Sequence, residues 1–117
     1  MRGRLSDGSW ITPFDPASVQ RPSNYVEGNA WQWAWFVPQD VEGLMELVGG
    51  QKSFEAHLDT LFTTSSELTG DPNAAADVTG MIGQYAHGNE PSHHIPILVK
   101  QNHLPYRKEY IPVHSYI

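Results

Sequence analysis

The sequence predicts a mainly helical chain, with helical hairpins separated by long loops. Two stretches carry that prediction. Val41, Leu44, Met45 and Val48 recur at i, i+3, i+4 and i+7, one stripe of a helix. Phe54, Leu58, Leu61 and Phe62 fall on one helical face, with Glu55 and Asp59 outside it. The third observation is punctuation: Gly, Pro, Ser and Asp crowd the segments between and around these stripes.

Residues 1–24 read as a surface loop leading into the domain. Asp7-Gly8-Ser9-Trp10 is a turn, and Pro13-Phe14-Asp15-Pro16 cannot be regular structure. Tyr25 to Phe36 is dense in aromatics. Trp31, Trp33 and Trp35 alternate as in a strand, while Trp31, Ala34 and Trp35 repeat as in a helix. Periodicity alone does not separate the two, and the helix that follows favours helix. Pro38 suits a first helical turn, and Asp40 favours a helix N-terminus. Gly49-Gly50 closes that helix, and Ser53 is the expected N-cap of the next. Residues 63–73 form a polar loop ending in Gly70-Asp71-Pro72-Asn73. Residues 74–86 read as a short helix broken by Gly80 and Gly83, and residues 87–94 as a loop or helix start. Residues 95–117, with Pro96, Pro105 and Pro112, show no sustained period. Four tryptophans and several Leu and Phe need more cover than three short helices offer, so the sequence reads as a slice of a larger helical core.

The chain has 117 residues, enough for one small domain, and a formal net charge of -6. An acidic chain is a poor partner for nucleic acid or an anionic membrane surface. It suits a neutral substrate, such as a sugar, or a cation. There is no cysteine, which excludes disulfides, cysteine-ligated zinc and thiol nucleophiles. The start Met1-Arg2-Gly3-Arg4-Leu5 has no apolar run behind it and does not read as a signal peptide. No stretch approaches the roughly 18 apolar residues of a membrane span.

Two segments are more specific. One runs Tyr25-Val26-Glu27-Gly28-Asn29-Ala30-Trp31-Gln32-Trp33 and on through Trp35-Phe36-Val37-Pro38-Gln39-Asp40. The other is Gly83-Gln84-Tyr85-Ala86-His87-Gly88-Asn89-Glu90-Pro91-Ser92-His93-His94-Ile95. Both resemble signature segments of the glycoside hydrolase family 92 catalytic domain. The stretch between them fits in order and spacing, so the likeness covers residues 5–96. It divides the chain into the leading loop 1–24, a family-like core 25–96 and an off-pattern tail 97–117, where Leu104-Pro105-Tyr106-Arg107 keeps a faint likeness.

The resemblance implies an (α/α)6 toroid, of which this chain would be a part, beside a β-sandwich domain. It implies an exo-acting α-mannosidase that hydrolyses terminal α-linked mannose with inversion and the help of bound calcium. It implies a mannose-containing glycan as substrate and an exported enzyme, periplasmic or extracellular, whose signal would lie outside this chain. The segment that supplies the family's general base has no counterpart here, so a lone active unit is not expected. A non-catalytic carbohydrate-binding helical module and an inactive truncated remnant are the alternatives.

The residues can be read beside that likeness. An inverting glycosidase needs one acid to protonate the leaving oxygen and one base to activate water. The acid must stay protonated near neutral pH, which calls for apolar surroundings. Glu27, flanked in sequence by Tyr25, Trp31 and Trp33, has such neighbours, and the resemblance puts the general acid on it. A solvated loop glutamate is the plain alternative. Asn89 and Glu90, with Gln32 beside them, are oxygen donors of the kind calcium takes, though a turn with a solvated carboxylate has the same composition. His87, His93 and His94 are spaced badly for zinc, because adjacent histidines diverge on either a helix or a strand. His87 and His93 fit hydrogen bonding to sugar hydroxyls or to the loop backbone. Aromatic clusters are more often core than sugar platforms, so at most one of the three tryptophans, Trp31, is assigned to a sugar. Asp77, before Val78-Thr79-Gly80, is placed by the resemblance on the leaving-group side of the pocket.

Overall fold

The structure is a computed structural model that describes residues 2–21 and 24–101. It is mainly helical, with one small two-stranded sheet. The tail beyond residue 101, with Leu104 to Arg107, Pro105 and Pro112, lies outside the described residues.

Helix α1 (Ala30–Trp33) is much shorter than the aromatic run had promised. The reason is local. Glu27 has a left-handed backbone with φ 49°, and Asn29 is extended as the N-cap, so helix cannot begin before Ala30. Helix α2 (Val41–Leu47) starts where Asp40 caps it, its Oδ1 accepting from the Gly43 N–H at 2.8 Å. Gly49 and Gly50, with φ of 102° and 91°, then turn the chain back. The Gly50 N–H reaches the Met45 carbonyl at 2.8 Å, closing the helix end. Helix α3 (Gln51–Thr63) follows at once and packs on α2. Its N-cap is Gly50, not Ser53, which sits inside the first turn and donates back to the Val48 carbonyl.

The four apolar residues of α3 are buried as the spacing required, Phe54, Leu58 and Leu61 completely. They join Trp35, Tyr85, Ile95, Leu98 and Val99 in one core. Trp35 meets Phe54 edge-on at 5.2 Å between ring centres. Part of this core comes from α4 (Ile95–Gln101), a helix the sequence had not revealed. Pro96 lies in its first turn, where a missing N–H costs nothing, and Ile95, Leu98 and Val99 supply a short inward stripe. A second, smaller core gathers Val19, Ala75, Val78 and Ala86.

Residues 74–86 are not a helix. After a 3₁₀ turn (Pro72–Ala75) they form a hairpin of β1 (Met81–Ile82) and β2 (Tyr85–Ala86), with Met81 opposite Ala86 and Ile82 opposite Tyr85. Gly83 turns it with φ 57° and lies so close to the backbone of Leu61 and Phe62 that a Cβ has no room. The hairpin tip thereby docks on the C-terminal end of α3, and the Gln84 N–H satisfies the Leu61 carbonyl at 2.8 Å.

Candidate active site

The first turn of α1 fixes the site. Asn29 Oδ1 accepts from the Trp31 N–H at 3.0 Å and the Gln32 N–H at 3.4 Å. Gln32 Oε1 in turn accepts from the Asn29 N–H at 2.8 Å, completing a capping box. Both side chains have a second end to satisfy, because both are fully buried. Asn29 Nδ2 donates to Gln84 Oε1 and Gln32 Nε2 to the Gln84 carbonyl, each at 2.9 Å. Gln84 Nε2 then donates to the carbonyls of Ser65 at 2.7 Å and Glu67 at 3.0 Å. Leaving one such buried amide unpaired would cost about 1–3 kcal/mol. A network satisfied throughout is therefore also a rigid one.

Glu27 stands on this base. The peptide before it is held by Trp33, whose Nε1–H donates to the Val26 carbonyl at 2.9 Å. The peptide after it is held by buried Asn89, whose Nδ2 donates to the Glu27 carbonyl. These two grips hold Glu27 in its left-handed conformation, which is uncommon for a residue with a side chain. Its own side chain is exposed, and its carboxylate has no hydrogen-bond partner among the described residues. The apolar enclosure expected around Glu27 is therefore not supplied by the described residues.

The other residues singled out in the sequence arrange around the same loop. Asn89 spends its amide nitrogen on Glu27, which leaves Oδ1 as the end that can meet a cation. Glu90 follows it as an exposed carboxylate at the start of a 3₁₀ turn (Glu90–Ser92) that packs against α1. Hard oxygen donors from Asn89 and Glu90 fit calcium chemistry. Gln32 fits it less well, being enclosed with both amide ends already engaged in the fold. No three His, Asp or Glu side chains among the described residues converge as a metal site.

His87 Nδ1 pairs with the Tyr85 hydroxyl at 2.9 Å, and His93 Nε2 pairs with the His87 carbonyl at 3.1 Å. The His87 and His93 rings lie 5.8 Å apart. His94 instead turns to the Trp35 carbonyl at 2.6 Å. Asp77 is exposed beside Gly88, whose Cβ position would lie 3.1 Å from the Asp77 carbonyl oxygen. The structure thus joins Asn89 to Glu27 and His93 to His87, and runs the Asp77 backbone beside Gly88.

Trp31 is half-buried and packs partly against the main core. Trp33 instead lines an open cavity of ≈ 510 Å³, with Arg2, Gly3, Trp10, Asn24, Tyr25 and Val26, next to Glu27 in the chain. Burial raises the Tyr25 phenol above its ordinary pKa, against the opposing charge of Arg2. Gln84 and Asn29 were not singled out from sequence. Nothing in their spacing marks them, because their partners lie 55 residues apart.

Comparison with known proteins decides the family. The glycosyl hydrolase family 92 catalytic domain matches residues 1–110. The chain belongs to this family. A solved structure of a family 92 alpha-mannosidase from Bacteroides thetaiotaomicron, in complex with mannoimidazole, is 43% identical with a TM-score of 0.72. It covers 92% of this chain, which spans 14% of that enzyme's chain. A second structure of that alpha-mannosidase gives 41% identity and a TM-score of 0.69 over the same shares. No curated protein sequence matches the chain. The family match runs past residue 96, where the likeness read from the sequence ends. No helix among the described residues is long and apolar enough to cross a membrane.

Proposed function

We propose that this family 92 chain carries the general-acid side of an inverting, exo-acting α-mannosidase, with Glu27 as the acid. The observation that supports this most is the posture of Glu27: an exposed carboxyl on a left-handed backbone whose two flanking peptides are gripped by Trp33 and Asn89. Functional groups are held in this way when their direction matters.

In this reading the Glu27 carboxyl donates its proton to the glycosidic oxygen of a terminal α-linked mannose. The bond from the anomeric carbon to that oxygen breaks, and the aglycone leaves as an alcohol. A carboxylate from elsewhere in the protein removes a proton from water, which attacks the opposite face of the ring. The two carboxyl groups would stand about 6.5–9.5 Å apart, the separation of inverting enzymes. Asn89 Oδ1 and the Glu90 carboxylate would hold calcium, which would supply a hard positive centre beside the sugar. His87 and His93 border the sugar, and Asp77 borders its leaving group. Trp33, on the cavity wall, is better placed for the sugar than Trp31.

The chain forms part of an (α/α)6 toroid. Leu47 on α2 is 84% exposed and Ile97 on α4 is 57% exposed, apolar surface that neighbouring helix pairs would cover. Those neighbours would also enclose Glu27.

Replacing Glu27 with Gln in the complete protein tests the acid assignment. Turnover of mannosides with alkyl or sugar leaving groups should fall by roughly 10²–10⁴-fold. Mannosides with dinitrophenyl leaving groups need little protonation and should lose far less. Equal loss on both substrates would overturn the assignment.

A further inference from the structure

We infer that Gln84 is a positioning residue for Glu27, acting through Asn29 and Gln32; the inference rests on the acid role of Glu27 proposed above. Gln84 is 1% exposed and makes five hydrogen bonds with both its backbone and side-chain groups. Two directions meet in it. Its backbone N–H and Nε2 anchor it to the end of α3 and to the carbonyls of Ser65 and Glu67. Its backbone carbonyl and Oε1 receive Gln32 and Asn29 from the base of the Glu27 loop.

The anchoring forces the orientation of each amide in turn. Two carbonyls face one end of the Gln84 side chain, so that end must be Nε2. Oε1 is then the end that faces Asn29, whose nitrogen must turn toward it. Asn29 Oδ1 is thereby left pointing at the N–H groups of Trp31 and Gln32, where it starts α1. Gly28 transmits this to Glu27. A Cβ on Gly28 would sit 3.2 Å from Gln32 Oε1 and 3.1 Å from Trp33 Nε1, so the residue next to Glu27 runs close along the network. A shift of the Asn29–Gln32 pair therefore carries Glu27 with it. Side chains of similar size without an amide do not serve at position 84. Glu would set a second acceptor against the Ser65 and Glu67 carbonyls, and Met would fill the space and bond to nothing.

A double-mutant cycle on the complete protein separates positioning from plain support of the fold. Gln84→Met alone should lower kcat on mannosides with poor leaving groups by roughly 10–100-fold, with a smaller loss on dinitrophenyl mannosides. In a Glu27→Gln background the same change should lower kcat hardly further, because the group it orients is gone. The full loss persisting in that background would overturn the inference. Glu27→Gln losing nothing on poor leaving groups would overturn the acid reading itself, and is read from the single variant. If Gln84→Met does not fold, Asn29→Asp takes its place in the cycle. It keeps the helix-capping oxygen and sets an acceptor in place of the donor to Gln84 Oε1, and the same two outcomes decide.

Discussion

Leu58 and Gln84 are equally hidden from water, and they are hidden for opposite reasons. Leu58 sits among apolar side chains whose contacts have no direction, so neighbours can shift by fractions of an ångström and still pack. Gln84 sits among donors and acceptors that each accept one geometry. The α3 core therefore supplies stability, and the amide junction supplies position. Glu27 is attached to the second region, where small displacements are least tolerated.

The largest expected effect strikes the site and spares the core. Chelation of the complete protein should reduce mannoside turnover to background, calcium should restore it and zinc should not. The α-helical circular dichroism should hardly change. Full activity after exhaustive chelation would contradict calcium at Asn89 and Glu90.

Leu58→Ala should do the converse. Removal of a fully buried Leu from α3 costs about 2–5 kcal/mol, seen as a lower denaturant midpoint. The ratio of turnover on poor and activated leaving groups should stay as it was, because no hydrogen bond to Glu27 is touched. A changed ratio would mean that the two regions are not separable.

Gly83→Ala probes the seam between them. A Cβ there meets the Leu61 and Phe62 backbone, and the φ of 57° disfavours it, so a loss of about 1–3 kcal/mol is expected. Because Gln84 is the next residue, turnover should fall as well. Unchanged turnover would separate the hairpin tip from the site.

The smallest effects compare two caps. Asp40→Ala removes an exposed cap of α2 and should cost about 1 kcal/mol. Asn29→Ala removes a cap of α1 and also strands Gln84 Oε1, so its cost should exceed that of Asp40→Ala by about 1–3 kcal/mol. Equal costs would show that the buried bond adds nothing.

The same contrast explains what could be read from sequence. The faces of α2 and α3 were legible because burial of a helix leaves a 3.6-residue period. Asp40 was legible as a cap from its place before the stripe. Helix α4 was hidden by Pro96 and by the shortness of its stripe. The hairpin at residues 81–86 was hidden because its strands are two residues long and a contact with α3 determines it. At the site, Glu27, Asn89 and Glu90 stood out only through likeness to a family. Gln84 gave no local signal, since its work is done on Asn29, Gln32, Ser65 and Glu67, all distant in the chain.

The most direct test is a crystal structure of the complete protein with an uncleavable sulfur-linked mannobioside. The Glu27 carboxyl should lie within about 2.6–3.5 Å of the linking sulfur, on its left-handed backbone. The Asn29, Gln32 and Gln84 amides should keep their present partners. A different carboxylic acid at the linking atom, with Glu27 turned to solvent, would contradict the acid role of Glu27.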